Sequence, residues 1–247
     1  MNYLPLVNKV ALVSCFDNKW VSHIINPLVS NGVHVILITD QRMSNLVNHV
    51  QPDQIKFITP LVLDIQDLVR AEQLCADAVA RFPKIDIVVN APIPPLRMGF
   101  LDTSLHQLSD LFQQYLGLIF LTIRIAGELM LPEKSGKIVN IVSGLGRRGL
   151  PGTVAYSASQ AAILGLTKSL ALEWASFNIT VNAIGIGWLS AVSSDNADFT
   201  SIEKFIPLRY VGHPKDIEGL LLYLLSPFAG YITGTCINVD GGLISHA

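Results

Sequence analysis

The chain has 247 residues and a mass of 26.9 kDa, enough for one α/β domain and tight for two. Its 17 Lys and Arg against 19 Asp and Glu give a formal charge of −2 and an isoelectric point near 6.3, so no basic field exists to hold a nucleic-acid backbone. Charged residues are only 15% of the chain and apolar residues 50%, against roughly 25% charged in an ordinary soluble domain, which predicts burial of surface against other subunits.

No run of about 18 consecutive apolar residues appears, and the most apolar stretch, Leu220–Leu225, is far too short for a membrane span. Cys15, Cys75 and Cys236 are widely separated and form no C-x-x-C pair, so neither a disulfide framework nor a zinc site is expected. The first residues, Met1–Pro5, lack the charged start and apolar core of an export signal. Together these features predict a reduced, cytoplasmic setting. The six histidines match no metal-ligand spacing, and no metal site is expected.

Along the chain, short β-branched runs alternate with helical segments. Lys9–Ser14 predicts a first strand and Val33–Thr39 a second. Between them, Pro27 falls where the middle of a helix belongs, so that helix either kinks or starts late with Asn26 as its cap. Asn31-Gly32 ends it in left-handed fashion. A shorter strand candidate lies within Ile55–Leu63, and Ile85–Asn90 supplies another. A long helix is expected over Asp102–Leu131, a strand over Lys137–Val142, a second long helix over Ala155–Phe177 and a strand over Ile179–Ile184. His213-Pro214, followed by Asp216 and Glu218, marks the start of a helix over Pro214–Ser226, with acids near the positive end of its dipole. Thr235–Val239 is the last strand. Continuous apolar strands separated by helices indicate a single α/β domain over residues 1–247, a doubly wound parallel sheet of about seven strands with helices on both faces.

Ser143 precedes Tyr156 by thirteen residues, and Tyr156 opens the run YSASQAAILGLTKSLALE. Asn178–Trp188 (NITVNAIGIGW) and Tyr231–Gly242 (YITGTCINVDGG) come after it, with Leu63-Asp64 and Val89-Asn90-Ala91 in the N-terminal half. On these residues the chain resembles the short-chain dehydrogenase/reductase family over nearly its whole length, which implies a Rossmann-like fold. That family places a Gly-rich turn after its first strand, against a dinucleotide pyrophosphate. Here Ser14–Val21 reads SCFDNKWV, and the three glycine positions hold Cys15, Lys19 and Val21. Side chains there, β-branched Val21 included, are expected to intrude on the phosphate, and Pro27 to disturb the helix that would bind it. Lys19 either contacts a phosphate directly or, with Trp20, fills the vacated groove. Asp40 stands where the family places an acid on the adenosine ribose, and Arg42 would suit a 2′-phosphate. Asn90 opens a turn whose family Gly has become Pro92, and Pro94 and Pro95 stiffen the segment beyond it.

The family's catalysis uses a Tyr as general acid/base, a Ser that orients the carbonyl, a Lys four residues after the Tyr, and an Asn in the preceding helix. Ser143 and Tyr156 match, Gln160 replaces the Lys, and Tyr115 stands at the Asn position. A neutral Gln cannot stabilise a phenolate. With these departures the resemblance implies a catalytically silent subunit, in which Ser143, Tyr156, Gln160 and Tyr115 are vestigial. Cys15, Lys19, Val21, Asp40 and Asn90 would then be a degenerate cofactor site that binds nothing. Such a chain would pair with an active NAD(P)-dependent homologue, as in two-chain hydroxyacyl-CoA dehydrogenases of the benzylsuccinyl-CoA type. A tetramer is expected through the Asp102–Leu131 and Ala155–Phe177 helices and the C-terminal segment. Leu111, Tyr115, Leu118 and Thr122 would meet Ala158, Ala162, Gly165, Leu166 and Ser169 there.

Two alternatives stand beside this reading. One is a non-redox lyase resembling the halohydrin dehalogenases, with Phe16 or Trp20 walling a halide pocket, Gly187-Trp188-Leu189 near it, and Arg147 or Arg148 standing in for the missing cation. The other is an NAD(P)-dependent oxidoreductase that holds its nucleotide in an unusual way, for which Asp40, Ser143 and Tyr156 speak.

Overall fold

Strands buried at every position belong in the middle of a sheet that is covered on both faces. β1 (Val10–Ser14) is of this kind, and it leads into α1 (Asn18–Ser30), β2 (His34–Asp40), a 3₁₀ turn at Pro52–Phe57 and β3 (Ile58–Leu63). α2 (Leu68–Val79), β4 (Ile87–Asn90) and α3 (Leu105–Phe112) come next, and a π-helical turn at Gln113–Gly117 carries α3 into α4 (Leu118–Glu133). β5 (Gly136–Ser143), the short α5 (Leu145–Arg148), α6 (Val154–Trp174), β6 (Ile179–Ile186), α7 (Glu218–Leu225) and β7 (Cys236–Val239) complete the chain. This computed structural model describes residues 5–16, 18–40, 50, 52–64, 67–91, 97–190 and 202–244.

The seven strands form one sheet in the order β3-β2-β1-β4-β5-β6-β7, and every neighbouring pair is parallel. The strand order reverses between β1 and β4, which opens a crevice at the carboxyl ends of these strands. One apolar layer packs α1 and α7 on the sheet, through Trp20, Ile24, Leu28, Leu221 and Leu225. The opposite layer uses Cys75 of α2, Ile125 of α4 and Ile163 of α6. The expected doubly wound sheet is the one that forms.

Local departures from the expected elements have physical causes. α1 starts at Asn18 and runs through Pro27, so the late start with Asn26 as cap does not occur. Asn31 Nδ2 donates to the Pro27 carbonyl at 2.8 Å, and Gly32 reverses the chain at φ 77°. The long helix expected over Asp102–Leu131 begins with a capping box at Ser104 and widens into the π turn before continuing. The helical run Leu105–Glu133 is long and apolar enough to cross a membrane by length and composition, but 56% of its apolar window is buried in the fold. Leu111, Tyr115, Leu118 and Thr122, expected to face a partner, are at most 6% exposed and belong to the domain's own interior.

At the amino end of the sheet, Asp86 binds Lys9 Nζ at 2.8 Å, Lys84 Nζ at 3.0 Å and the Val10 amide at 3.0 Å. Burial raises the pKa of this carboxyl, but its three donors outweigh burial and hold it below the ordinary value. Its folded pKa therefore lies under the unfolded value of about 3.9. The stability it contributes is complete above that pH and is lost as pH falls through the folded pKa. Asp86→Asn should lower the urea midpoint at pH 7 and flatten its decline towards pH 3, as read by far-UV circular dichroism.

Candidate active site

Polar side chains close the crevice from below. Ser14 and Asn90 are partners in register on β1 and β4, as are Asn90 and Asn140 on β4 and β5. Asn90 Oδ1 accepts from Ser14 Oγ at 2.9 Å and from Thr122 Oγ1 at 2.7 Å. Asn90 Nδ2 donates to Asn140 Oδ1 at 2.8 Å, and Asn140 Nδ2 donates to Thr167 Oγ1 at 3.0 Å. All five residues are at most 1% exposed, so a polar group that loses its sole partner is left dry and unpaired. The Asn90 side chain, expected in the cofactor groove, instead ties three strands to α4 and α6. The readable signal was an Asn at the end of β4 and another within β5, each in an otherwise apolar run.

Above this layer four of the expected site residues converge. β5 ends at Ser143, α5 turns the chain, Gly149 at φ 74° releases it, and α6 begins at Val154. A Cβ on Gly146 would lie 2.8 Å from the Gln160 carbonyl carbon, so α5 presses directly on the α6 backbone. Tyr156 and Ser143 share a hydrogen bond. The Ser143 amide donates to Gln160 Oε1 at 2.8 Å, and the Leu145 amide donates to Ser143 Oγ at 3.2 Å. Tyr115, set by the π turn, meets the Tyr156 ring edge-on with centroids 5.4 Å apart. Burial pushes the Tyr156 phenol well above its ordinary pKa, and the Ser143 hydrogen bond only partly opposes it. Burial, with Tyr156 nearby, does the same to Tyr115.

The turn after β1 differs from its sequence expectation. Cys15, Trp20 and Val21 are at most 1% exposed and pack in the apolar layer beneath α1, while Phe16 packs in the opposite layer. Cys15 and Val21, two of the side chains expected to stand in the phosphate hollow, are thus turned into the core beneath α1. The first-turn amides of α1 lack intrahelical acceptors and lie at the carboxyl edge of the sheet, a setting that suits a pyrophosphate. Phe16 and Trp20 are core residues and wall no halide pocket. Lys19 lies in the first turn of α1 and Asp40 ends β2, but their side chains, like Arg42, Pro92, Pro94 and Pro95, fall outside the described residues.

Ser143 also lines a cavity of about 410 Å³, walled by Leu145, Leu150, Ile186, Trp188, Phe205 and Ile244. Arg97 and Arg148 stand at its lining, and the Arg97 guanidinium lies 6.0 Å from the Trp188 ring. Arg147 turns away, to Asn238 Oδ1 at 3.4 Å. The sequence places Trp188 near a pocket but gives no sign of Arg97, which is remote from every motif and carries no signal of its own.

A doubly wound parallel sheet with a hydrogen-bonded Ser–Tyr pair beyond the carboxyl ends of its strands places the protein in the doubly wound α/β class. The chain belongs to the short-chain dehydrogenase/reductase family, since the family model described as enoyl-(acyl carrier protein) reductase matches residues 23–244. It is 32% identical to an acetoacetyl-CoA reductase from Acinetobacter over 247 residues, covering 96% of this chain and 98% of that protein. A 3-oxoacyl-[acyl-carrier-protein] reductase from Synechocystis is 36% identical over 174 residues, 70% of each chain. A solved structure from Beutenbergia cavernae, provisionally assigned as an NAD(P) dependent gluconate 5-dehydrogenase with bound NADP at low occupancy, superposes with a TM-score of 0.87. It is 27% identical over 98% of this chain and 99% of that one.

These findings overturn two expectations, that the chain is a silent subunit and that it leaves NAD(P) to a partner. Relatives matched over nearly the whole chain are reductases and dehydrogenases, and a structure of the same fold carries NADP. The physical reason is the direction of Cys15 and Val21, which face the core rather than the phosphate hollow. Asn90→Ala would strand Ser14 Oγ and Asn140 Oδ1 together, while Thr122 Oγ1 keeps its bond to the Ile119 carbonyl. It should cost about 2–4 kcal/mol of unfolding free energy in urea titrations.

Proposed function

We propose that the chain is an NAD(P)-dependent oxidoreductase acting on a carbonyl/alcohol couple. The observation that carries this reading is the hydrogen-bonded Ser143–Tyr156 pair, with Ser143 lining an apolar cavity. Nicotinamide adenine dinucleotide, when bound, supplies the hydride, and the α1 first-turn amides with Asp40 are the groups that would hold it. Ser143 Oγ takes the substrate oxygen by hydrogen bond. Tyr156 gives that oxygen its proton.

Reduction is the direction that this arrangement favours. A phenol with a raised pKa is fully protonated at neutral pH, the form that donates to a carbonyl oxygen. Oxidation needs the phenolate, and uncharged Gln160 does not stabilise one. Gln160 acts instead on geometry, by accepting from the Ser143 amide. The names of the reductase relatives support the same direction.

The reading extends to assembly with homologous subunits as a tetramer, through α4, α6 and the C-terminal segment. Supporting it, Phe120 and Leu172 are 57% and 83% exposed, and Ala158, Gly165 and Ser169 present a small-residue face on α6. A cytoplasmic location fits the free thiols, since burial pushes Cys75 up to about 12 and keeps it unreactive.

Isothermal titration of the whole chain with NADPH and NADH should give saturable binding of at least one. Failure of both to bind the folded chain at millimolar concentration would sink the reading. Tyr156→Phe should lower kcat by about 10²- to 10⁴-fold while nucleotide binding persists. Reduction should be insensitive to Tyr156 ionisation between about pH 6 and 9, whereas oxidation should rise close to tenfold per pH unit. Gln160→Lys places a cation beside the phenol, so the plateau of the oxidation profile should move to lower pH.

A further inference from the structure

We propose that the cavity beside Ser143 selects an oxo- or hydroxy-acid with an apolar, aromatic-sized body, whose carboxylate is held by Arg97 and Arg148. The assignment of the carbonyl to Ser143 rests on the oxidoreductase reading, but the binding preference stands on the cavity itself. At about 410 Å³ the cavity has the size of a small-molecule site. Its walls are Leu145 and Leu150 beside α5, Ile186 and Trp188 at the end of β6, Phe205, and Ile244 near the C-terminus. Such walls take a ring or branched chain and offer a sugar or polyol few partners.

The polar groups divide by position. Ser143 is half-buried and is tied to fully buried Tyr156, so it marks the reacting end. Arg97 and Arg148 are exposed and mark the solvent end. Among the described residues no Asp or Glu lines the cavity, and neither guanidinium has a carboxylate partner, so the local field favours an anion. Arg97 stands over the Trp188 ring, a contact that holds a planar donor fork in place. A guanidinium so placed binds carboxylate through parallel N–H bonds.

The test uses 5-oxo-5-phenylpentanoate, its neutral amide and ring-less 4-oxopentanoate, titrated calorimetrically into the whole chain with and without NADPH. The phenyl acid should bind at least about tenfold more tightly than either of the others. Arg97→Gln and Arg148→Gln should each weaken the acid about five- to tenfold, leave the amide unchanged and leave the melting temperature in place. Added salt should weaken the acid alone. Equal affinity for acid and amide, unchanged affinity in both variants, or no binding of any probe overturns the proposal. Binding of the acid without NADPH-dependent turnover sinks the oxidoreductase reading and leaves this one standing. Reduction of other ketones with no preference for the acid does the reverse.

Discussion

The chain of hydrogen bonds from Ser14 through Asn90 and Asn140 to Thr167 runs crosswise to the strands, inside a region with almost no solvent. In water such bonds would exchange freely, but here the cost of leaving a donor or acceptor unpaired is the full desolvation of the group. The network therefore accepts one register of β1 against β4 and β5, and one seat for α6. Because Thr167 is on α6, the same bonds fix the helix that carries Tyr156 and Gln160. Apolar packing alone would tolerate small slides of that helix. The polar layer does not.

That fixed seat sets the electrostatic character of the site. Tyr156 is enclosed by Tyr115, Ser143 and the body of α6, and no cation is in that group. A phenol so placed holds its proton tightly. The arrangement works through positioning: the carboxamide of Gln160 spends its acceptor on the Ser143 amide and so fixes the residue that carries the hydroxyl beside Tyr156. The opening βα turn shows the same economy, since Cys15 and Val21 at two of its glycine positions are accommodated by packing into the apolar layer beneath α1 rather than above the sheet.

Much of the fold could be read directly. Runs such as VALVS, IVVN and ITVNAIGI are apolar at nearly every position and form buried parallel strands, with boundaries displaced by only a residue or two. Site residues on the C-terminal motifs were legible for the same reason, because Ser143, Tyr156 and Gln160 occupy recognisable positions. What composition and spacing could not supply was side-chain direction. Cys15 and Val21 at glycine positions read as an obstruction, yet a residue in a βα turn can point either into the hollow or beneath the helix. The face of the first long helix was misassigned likewise, since α4 is apolar nearly all round and the inward stripe of Leu118 and Thr122 looks no different in sequence from an outward one. The π turn at Tyr115 left no trace either, because one extra residue per turn barely disturbs a short apolar pattern.

Gly146 touches no ligand and supplies no wall to the cavity beside Ser143, yet the chain has no slack there. Any larger residue would have to push α5 off the backbone of α6 at Gln160, shifting the hydroxyl of Ser143 relative to Tyr156. In a saturation mutagenesis scan this position would therefore score like a reactive residue, intolerant of even alanine, although its whole contribution is the absence of a methyl group.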